Sequence, residues 1–137
     1  MRRVCKVSRN TPNSASEPEQ IVAMIAQLRP RELQDWLSSL PPTAKPVLLD
    51  VREPHEVAHA SVRSAPGFTV LTIPMSSVPL RLAELDPAQP IACLCHHGGR
   101  SMQVANFLLG RGYTHLLNVT GGIHAWAAEL DNAIPTY

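Results

Sequence analysis

Short apolar runs recur along this chain, and the stretches between them carry apolar residues at helical spacing. Residues 47–49, 70–73, 91–94 and 116–119 are dominated by Val, Leu and Ile. Runs of this length and kind predict strands, and continuous apolarity suits a parallel sheet covered on both faces. Residues 21–28 fit either a short helix or a strand, with Gln27 and Leu28 placed to pair at a sheet edge. Pro30 opens a helix in which Leu33, Trp36, Leu37 and Leu40 share a side, and Pro41–Pro42 closes it. Pro54 begins a short helix through Val57 and Ala58, and Ser76 or Ser77 caps a helix over 78–85 that stops at Asp86–Pro87. Residues 61–69 are irregular, with a turn at Pro66–Gly67. From Ser101 onward Val104, Phe107 and Leu108 fall on one helical face, and Gly110 and Gly112 end it. Thr120-Gly121-Gly122 makes a tight turn into a last helix over 123–130, with Trp126 on its apolar side.

Strands alternating with helices predict an α/β fold: a mostly parallel sheet of about five strands with helices on both faces. Ligands in such sheets bind at the carboxyl ends of the strands. Cys95 stands at such an end, directly after the run 91–94.

Composition adds limits. The chain has 137 residues, 45% of them hydrophobic and 17% charged, which suits one domain with a real core. A net charge of +1 gives no electrostatic case for nucleic acid. Residues 1–19 are polar and rich in Ser, Asn, Thr and Pro, and are expected to form a flexible lead-in to a domain over 20–137. No apolar run follows the early basic residues, so a secretory signal is not expected, and no stretch reaches the length of a membrane span. Three cysteines, an odd number, fit free thiols in a reducing compartment, and a cytoplasmic location is expected. Cys5, in the lead-in, is taken as an incidental exposed thiol.

The chemistry concentrates in Cys95-His96-His97-Gly98-Gly99-Arg100-Ser101. Paired glycines let the chain bend so that backbone N–H groups converge, and the helix start that follows adds partial positive charge. A thiol held there is driven toward thiolate, the reactive form. Arg100 adds a permanent cation with planar donors. The segment is therefore read as an anion cradle with a nucleophilic sulfur at its floor. Such a site requires the amide hydrogens to face the sulfur and the sulfur to be open to solvent.

Three segments in this order resemble a single-domain rhodanese, a thiosulfate sulfurtransferase-like protein. They are Leu48-Leu49-Asp50-Val51-Arg52-Glu53, the Cys95–Ser101 loop, and Val119-Thr120-Gly121-Gly122-Ile123-His124-Ala125-Trp126. The likeness runs from about residue 27 onward. It implies a double displacement in which Cys95 takes a sulfane sulfur from thiosulfate or a persulfide donor. Cys95 then passes it to cyanide, a small thiol or a protein acceptor, with no metal and no organic cofactor. Only four residues separate Cys95 from Arg100. Cysteine-dependent phosphatases use a loop one residue longer, so a single sulfur atom fits this bowl better than a phosphoryl group. A sulfur carrier loaded by a partner protein is the other reading.

The neighbours of the loop have two readings each. Asp50 is either catalytic or an acceptor for loop N–H groups. Arg52 either faces the site and recognises the donor or makes a structural ion pair. His96 and His97 either orient donor or acceptor, with added charge below neutral pH, or supply backbone N–H groups with at least one ring outward. Arg81 is taken as a solvated charge on the helix 78–85. Cys93 with Cys95, His96 and His97 has the residue types of a metal site. The glycine bend should break the strand alternation that would bring the two thiols to one face, so no metal is expected and Cys93 is read as a buried core thiol. The family's Gly-His-Ile and Pro-Gly-Ala-like turn is replaced here by Ala60-Ser61-Val62 and Arg63-Ser64-Ala65-Pro66-Gly67-Phe68. That change alters one rim of the pocket, where His59, Arg63 and Phe68 are candidates for its entrance or simply loop residues in solvent.

Overall fold

The computed structural model describes residues 25–65 and 67–137. The expected lead-in, Cys5, the start of the 21–28 run and Pro66 lie outside the described residues. The fold is built on five strands: β1 (Ile25–Leu28), β2 (Val47–Asp50), β3 (Thr69–Thr72), β4 (Ile91–Leu94) and β5 (Leu116–Val119). They form one sheet in the order β1-β5-β4-β2-β3, and every pairing is parallel. The helices are α1 (Leu33–Ser39), α2 (Pro54–His59), α3 (Gly99–Gly110) and α4 (Gly122–Glu129).

The apolar runs become the three central strands. All residues of β2, β4 and β5 are buried, whereas edge strand β1 exposes its middle and edge strand β3 is only half-buried. Alternation divides these residues between two cores. Leu49, Ile91, Cys93 and Leu116 face one side, where Val104, Ala105 and Leu108 of α3 cover them. Leu48, Ala92, Leu94 and Val119 face the other, under Ile123 and Trp126 of α4 and the half-buried Leu33 and Trp36 of α1. A fully buried aliphatic side chain contributes about 1.5–3 kcal/mol, so both helical layers are held mainly by this burial.

The expected helix over 78–85 is absent. Two 3-10 segments, Met75–Leu80 and Leu82–Glu84, replace it. Pro79 lies inside the first. Its missing N–H and its ring disfavour an α-helix there. Arg81, at the junction, bonds Glu84 through Nε at 2.6 Å on the exposed surface, a solvated pair as expected. The turn after Pro30 is also 3-10 (Pro30–Glu32) before α1 begins.

The strand order changes direction between β2 and β4. The segments leaving these two neighbours, Val51–Glu53 and Cys95–Gly98, therefore meet at the carboxyl edge of the sheet, the crevice where ligands of open parallel sheets bind. Val51 N–H donates to Leu94 O at 2.9 Å and carries the ladder one step past the strand ends.

Candidate active site

Cys95 follows β4, and the chain reverses at Gly98, whose φ of 114° is closed to most side chains. The reversal aims amides at the sulfur. Gly98 N–H donates to Cys95 Sγ at 3.0 Å, and the Ser101 hydroxyl lies 3.3 Å from it. Burial by itself pushes the thiol pKa up, but the Ser101 hydroxyl and the backbone N–H groups of Ser101, Gly98 and His97 outweigh it, and the net direction is down. The expected convergence of N–H groups is therefore present. The expected opening is not: Cys95 is 1% exposed. The cradle closes tightly enough around the sulfur that a donor reaches it only after neighbouring side chains move.

Ser101 is itself part of a polar network. Its one hydroxyl hydrogen is shared among Asn118 Oδ1 at 2.5 Å, Gly98 O at 3.1 Å and Cys95 Sγ at 3.3 Å. Asn118 Nδ2 donates to Gln27 Oε1 at 3.1 Å, and Thr120 Oγ1 donates to the same oxygen at 3.0 Å. A hydroxyl has one hydrogen to give, so Asn118 competes with the sulfur for it.

Arg100 opens α3 beside the loop and binds Glu56 of α2 with two hydrogen bonds, 2.7 and 2.8 Å. This charge-assisted fork, followed by smaller help from the Glu53 backbone and Tyr137, overcomes burial and lowers the Glu56 pKa to about 2. Tyr137 donates its hydroxyl to Glu56 at 3.1 Å and accepts from Arg52 Nη1 at 2.9 Å. Arg52 is fully buried and every guanidinium N–H has a partner. Nε and Nη2 reach the Asp50 carboxylate at 2.9 and 2.7 Å, while the rest go to Tyr137, Glu56 O and Ala60 O. Of the two roles open to Arg52, the ion pair is the one present, and no donor is left over for a ligand. Asp50 also accepts from the Arg52 backbone N–H at 3.1 Å, as expected of a carboxylate that satisfies a loop amide.

Comparisons with known proteins identify the family. A model of the Rhodanese-like domain matches residues 32–129. The chain belongs to the rhodanese-like family. It is 44% identical over 92 residues to Rhodanese-like/PpiC domain-containing protein 12, chloroplastic, of Arabidopsis thaliana, covering 66% of this chain and 30% of the relative. The chain thus spans less than a third of that relative's length. A sulfurtransferase of Allochromatium vinosum is 36% identical over 81 residues, covering 59% of this chain and 71% of the relative. Among solved structures, a rhodanese-like domain protein from Staphylococcus aureus superposes with a TM-score of 0.60 at 26% identity, covering 82% of this chain and 99% of that one.

Within this rhodanese-like domain, the histidines of the loop differ in setting. His97 is exposed, whereas His96 is half-buried and stacks on His97 and on Tyr137, with ring centroids 3.9 Å apart in both cases. Cys93 is the buried core thiol expected of it, with burial pushing its pKa up to about 12. The reason given from the sequence needs correction: Cys93 and Cys95 pack into the same core, because the ladder stays regular through Leu94. His59, Arg63 and Phe68 line a separate cleft of about 560 Å³ that no residue of the cysteine loop borders. They do not form the entrance to Cys95.

Glu56, Asn118 and Tyr137 are missing from the residues read as functional in the sequence, and His124 enters there only within the Val119–Trp126 segment. Asn118 had a signal, since it is the one polar residue in the run 116–119. Glu56 had a weaker one, an acid in the first turn of a short helix. Nothing local marked Tyr137, whose hydrogen-bond partners lie more than eighty residues away. Among the described residues, no helix is long and apolar enough to cross a membrane.

Proposed function

We propose that this rhodanese-like domain is a sulfurtransferase that carries a sulfane sulfur on Cys95, with thiosulfate as a donor. The observation that supports this reading is the set of donors gathered on Cys95 Sγ, from the Gly98, His97 and Ser101 backbones and the Ser101 hydroxyl. In the first step the thiolate attacks the outer sulfur of thiosulfate. A new S–S bond forms to Sγ, the old one breaks, and its electron pair leaves with sulfite. The same donors that favour the thiolate stabilise the anionic persulfide. In the second step cyanide or a thiolate acceptor attacks the outer sulfur and the Cys95 thiolate leaves. Arg100 supplies the cation beside the loop, with its Nε and outer N–H groups left for an anionic donor while Glu56 holds the fork. His96 and His97 contribute through the backbone. Asp50 and Arg52 support the site from below. The domain over 20–137 works in a reducing, cytoplasmic setting, and needs no organic cofactor for this reaction.

The near-complete burial of Cys95 favours a second reading, a carrier that a protein partner must open and load. Incubation with thiosulfate followed by intact-protein mass measurement separates the two. A gain of one sulfur atom that Cys95→Ser abolishes supports the enzyme. Loading from a cysteine desulfurase alone supports the carrier. If neither donor loads Cys95, or if Cys95-dependent aryl phosphate hydrolysis is found instead, sulfur transfer is the wrong chemistry.

A further inference from the structure

Three histidines meet at the rim of the cysteine loop, and the sulfur chemistry uses none of their rings. His96 and His97 follow Cys95, while His124 stands in the first turn of α4. The backbone brings them together. Ile123 N–H donates to Cys95 O at 2.8 Å and His124 N–H to His96 O at 3.2 Å, which clamps the start of α4 onto the loop. Gly122 makes this approach possible: a Cβ there would stand 2.3 Å from His96 O and 2.4 Å from Cys95 O. One nitrogen from each of the three imidazoles then lies within 4.8 Å of the other two. Nε2 of His96 is buried without a hydrogen-bond partner. Buried polar atoms rarely go unpaired, so this nitrogen marks an interaction still to be made.

We propose that His96, His97 and His124 bind a divalent transition-metal ion of the zinc class. Neutral imidazole is the donor that such ions take most readily, and three of them leave a fourth position for water or an anion. Tetrahedral zinc with bonds of about 2.0–2.1 Å sets its nitrogens about 3.4 Å apart. Rotation of the exposed His97 and His124 side chains closes the remaining distance while the clamp holds their backbones. This ligand set is not the cysteine-containing one weighed from the sequence. It replaces both thiols with a histidine from a distant helix.

The test uses the full chain with Cys5 and Cys95 replaced by Ser, so that thiolates do not compete and the outcome is independent of sulfur transfer. Zn²⁺ is titrated against a chromogenic chelator, and Co²⁺ is followed by its visible absorption. We expect one ion per chain, intense Co²⁺ bands of tetrahedral type, and at least tenfold weaker binding in both His124→Ala and His97→Ala. His115→Ala, which alters a histidine packed against Trp36, should bind as the parent does. Both variants that lose binding change exposed side chains, and their thermal unfolding should match the parent. No binding by the parent, or undiminished binding by His124→Ala, would overturn the site.

Discussion

Ser101→Ala tests whether the hydroxyl stabilises the Cys95 thiolate or serves Asn118 instead. The hydroxyl lies 3.3 Å from Sγ and 2.5 Å from Asn118 Oδ1, and one hydrogen cannot serve both. If Asn118 turns its amide end for end, Nδ2 donates to Ser101 Oγ and frees the hydroxyl for the sulfur. Gln27 turned likewise donates Nε2–H to Asn118 and Thr120, so those contacts are kept at the loss of only the exposed 3.5 Å bond from Gln27 Nε2 to Met102 Sδ. We therefore expect the hydroxyl to point at sulfur whenever the thiolate is present. A hydrogen bond to a charged group contributes about 1.5–3 kcal/mol, and about 1.4 kcal/mol is tenfold in an equilibrium. Its loss should reduce the thiolate fraction on the acid side of the midpoint by about tenfold to a hundredfold. The thiol pKa is lowered in the folded protein, so reactivity is present above it and lost as pH falls through it. The assay is the rate of Cys95 alkylation by iodoacetamide against pH, in a Cys5→Ser background. Cys93 stays silent because burial pushes its pKa up to about 12, whereas that of Cys95 is lowered. Ser101→Ala should move the midpoint upward, and Asn118→Asp should move it further by taking the hydroxyl hydrogen and adding negative charge. An unchanged midpoint in Ser101→Ala would assign the hydroxyl to Asn118 and leave the backbone amides as the only stabilisers. A wild-type chain that never alkylates would rule out the free-standing enzyme and leave the carrier that a partner must open.

Glu56→Gln should destabilise the fold by about 3 kcal/mol at pH 7, the value of a carboxyl pKa lowered from 4.5 to about 2. Because the folded pKa is depressed, this stability is present above pH 4.5 and fades as pH falls toward 2, so denaturant unfolding should show less than half the difference by about pH 3; a gap independent of pH would mean that the Arg100 pair is not its source. Gly122→Ala should cost about 2–4 kcal/mol, since the added Cβ meets two carbonyl oxygens and φ is +61°. A thermal midpoint within a degree of wild type would show that α4 does not depend on that close approach.

The sequence by itself determined the architecture. Apolar runs such as 91–94 had to be buried on both faces, and helical spacing after Ser101 had to cover one of them, so a parallel sheet between helices followed from local pattern alone. The Cys95–Ser101 loop was legible for the same reason, because sulfur, glycine bend and helix start are contiguous in the chain. The segment 78–85 shows the limit of spacing read alone, since it forms part of two 3-10 segments with Pro79 inside the first of them and not the expected α-helix. Tertiary structure decided what surrounds the sulfur. It gave Arg100 to Glu56, Arg52 to Asp50 and Tyr137, the Ser101 hydroxyl to a contest with Asn118, and His124 to the loop histidines. These partners lie on different elements. A polar side chain's partner depends on which strand ends and helix starts the fold brings to one edge of the sheet, and the order of residues along the chain does not carry that information.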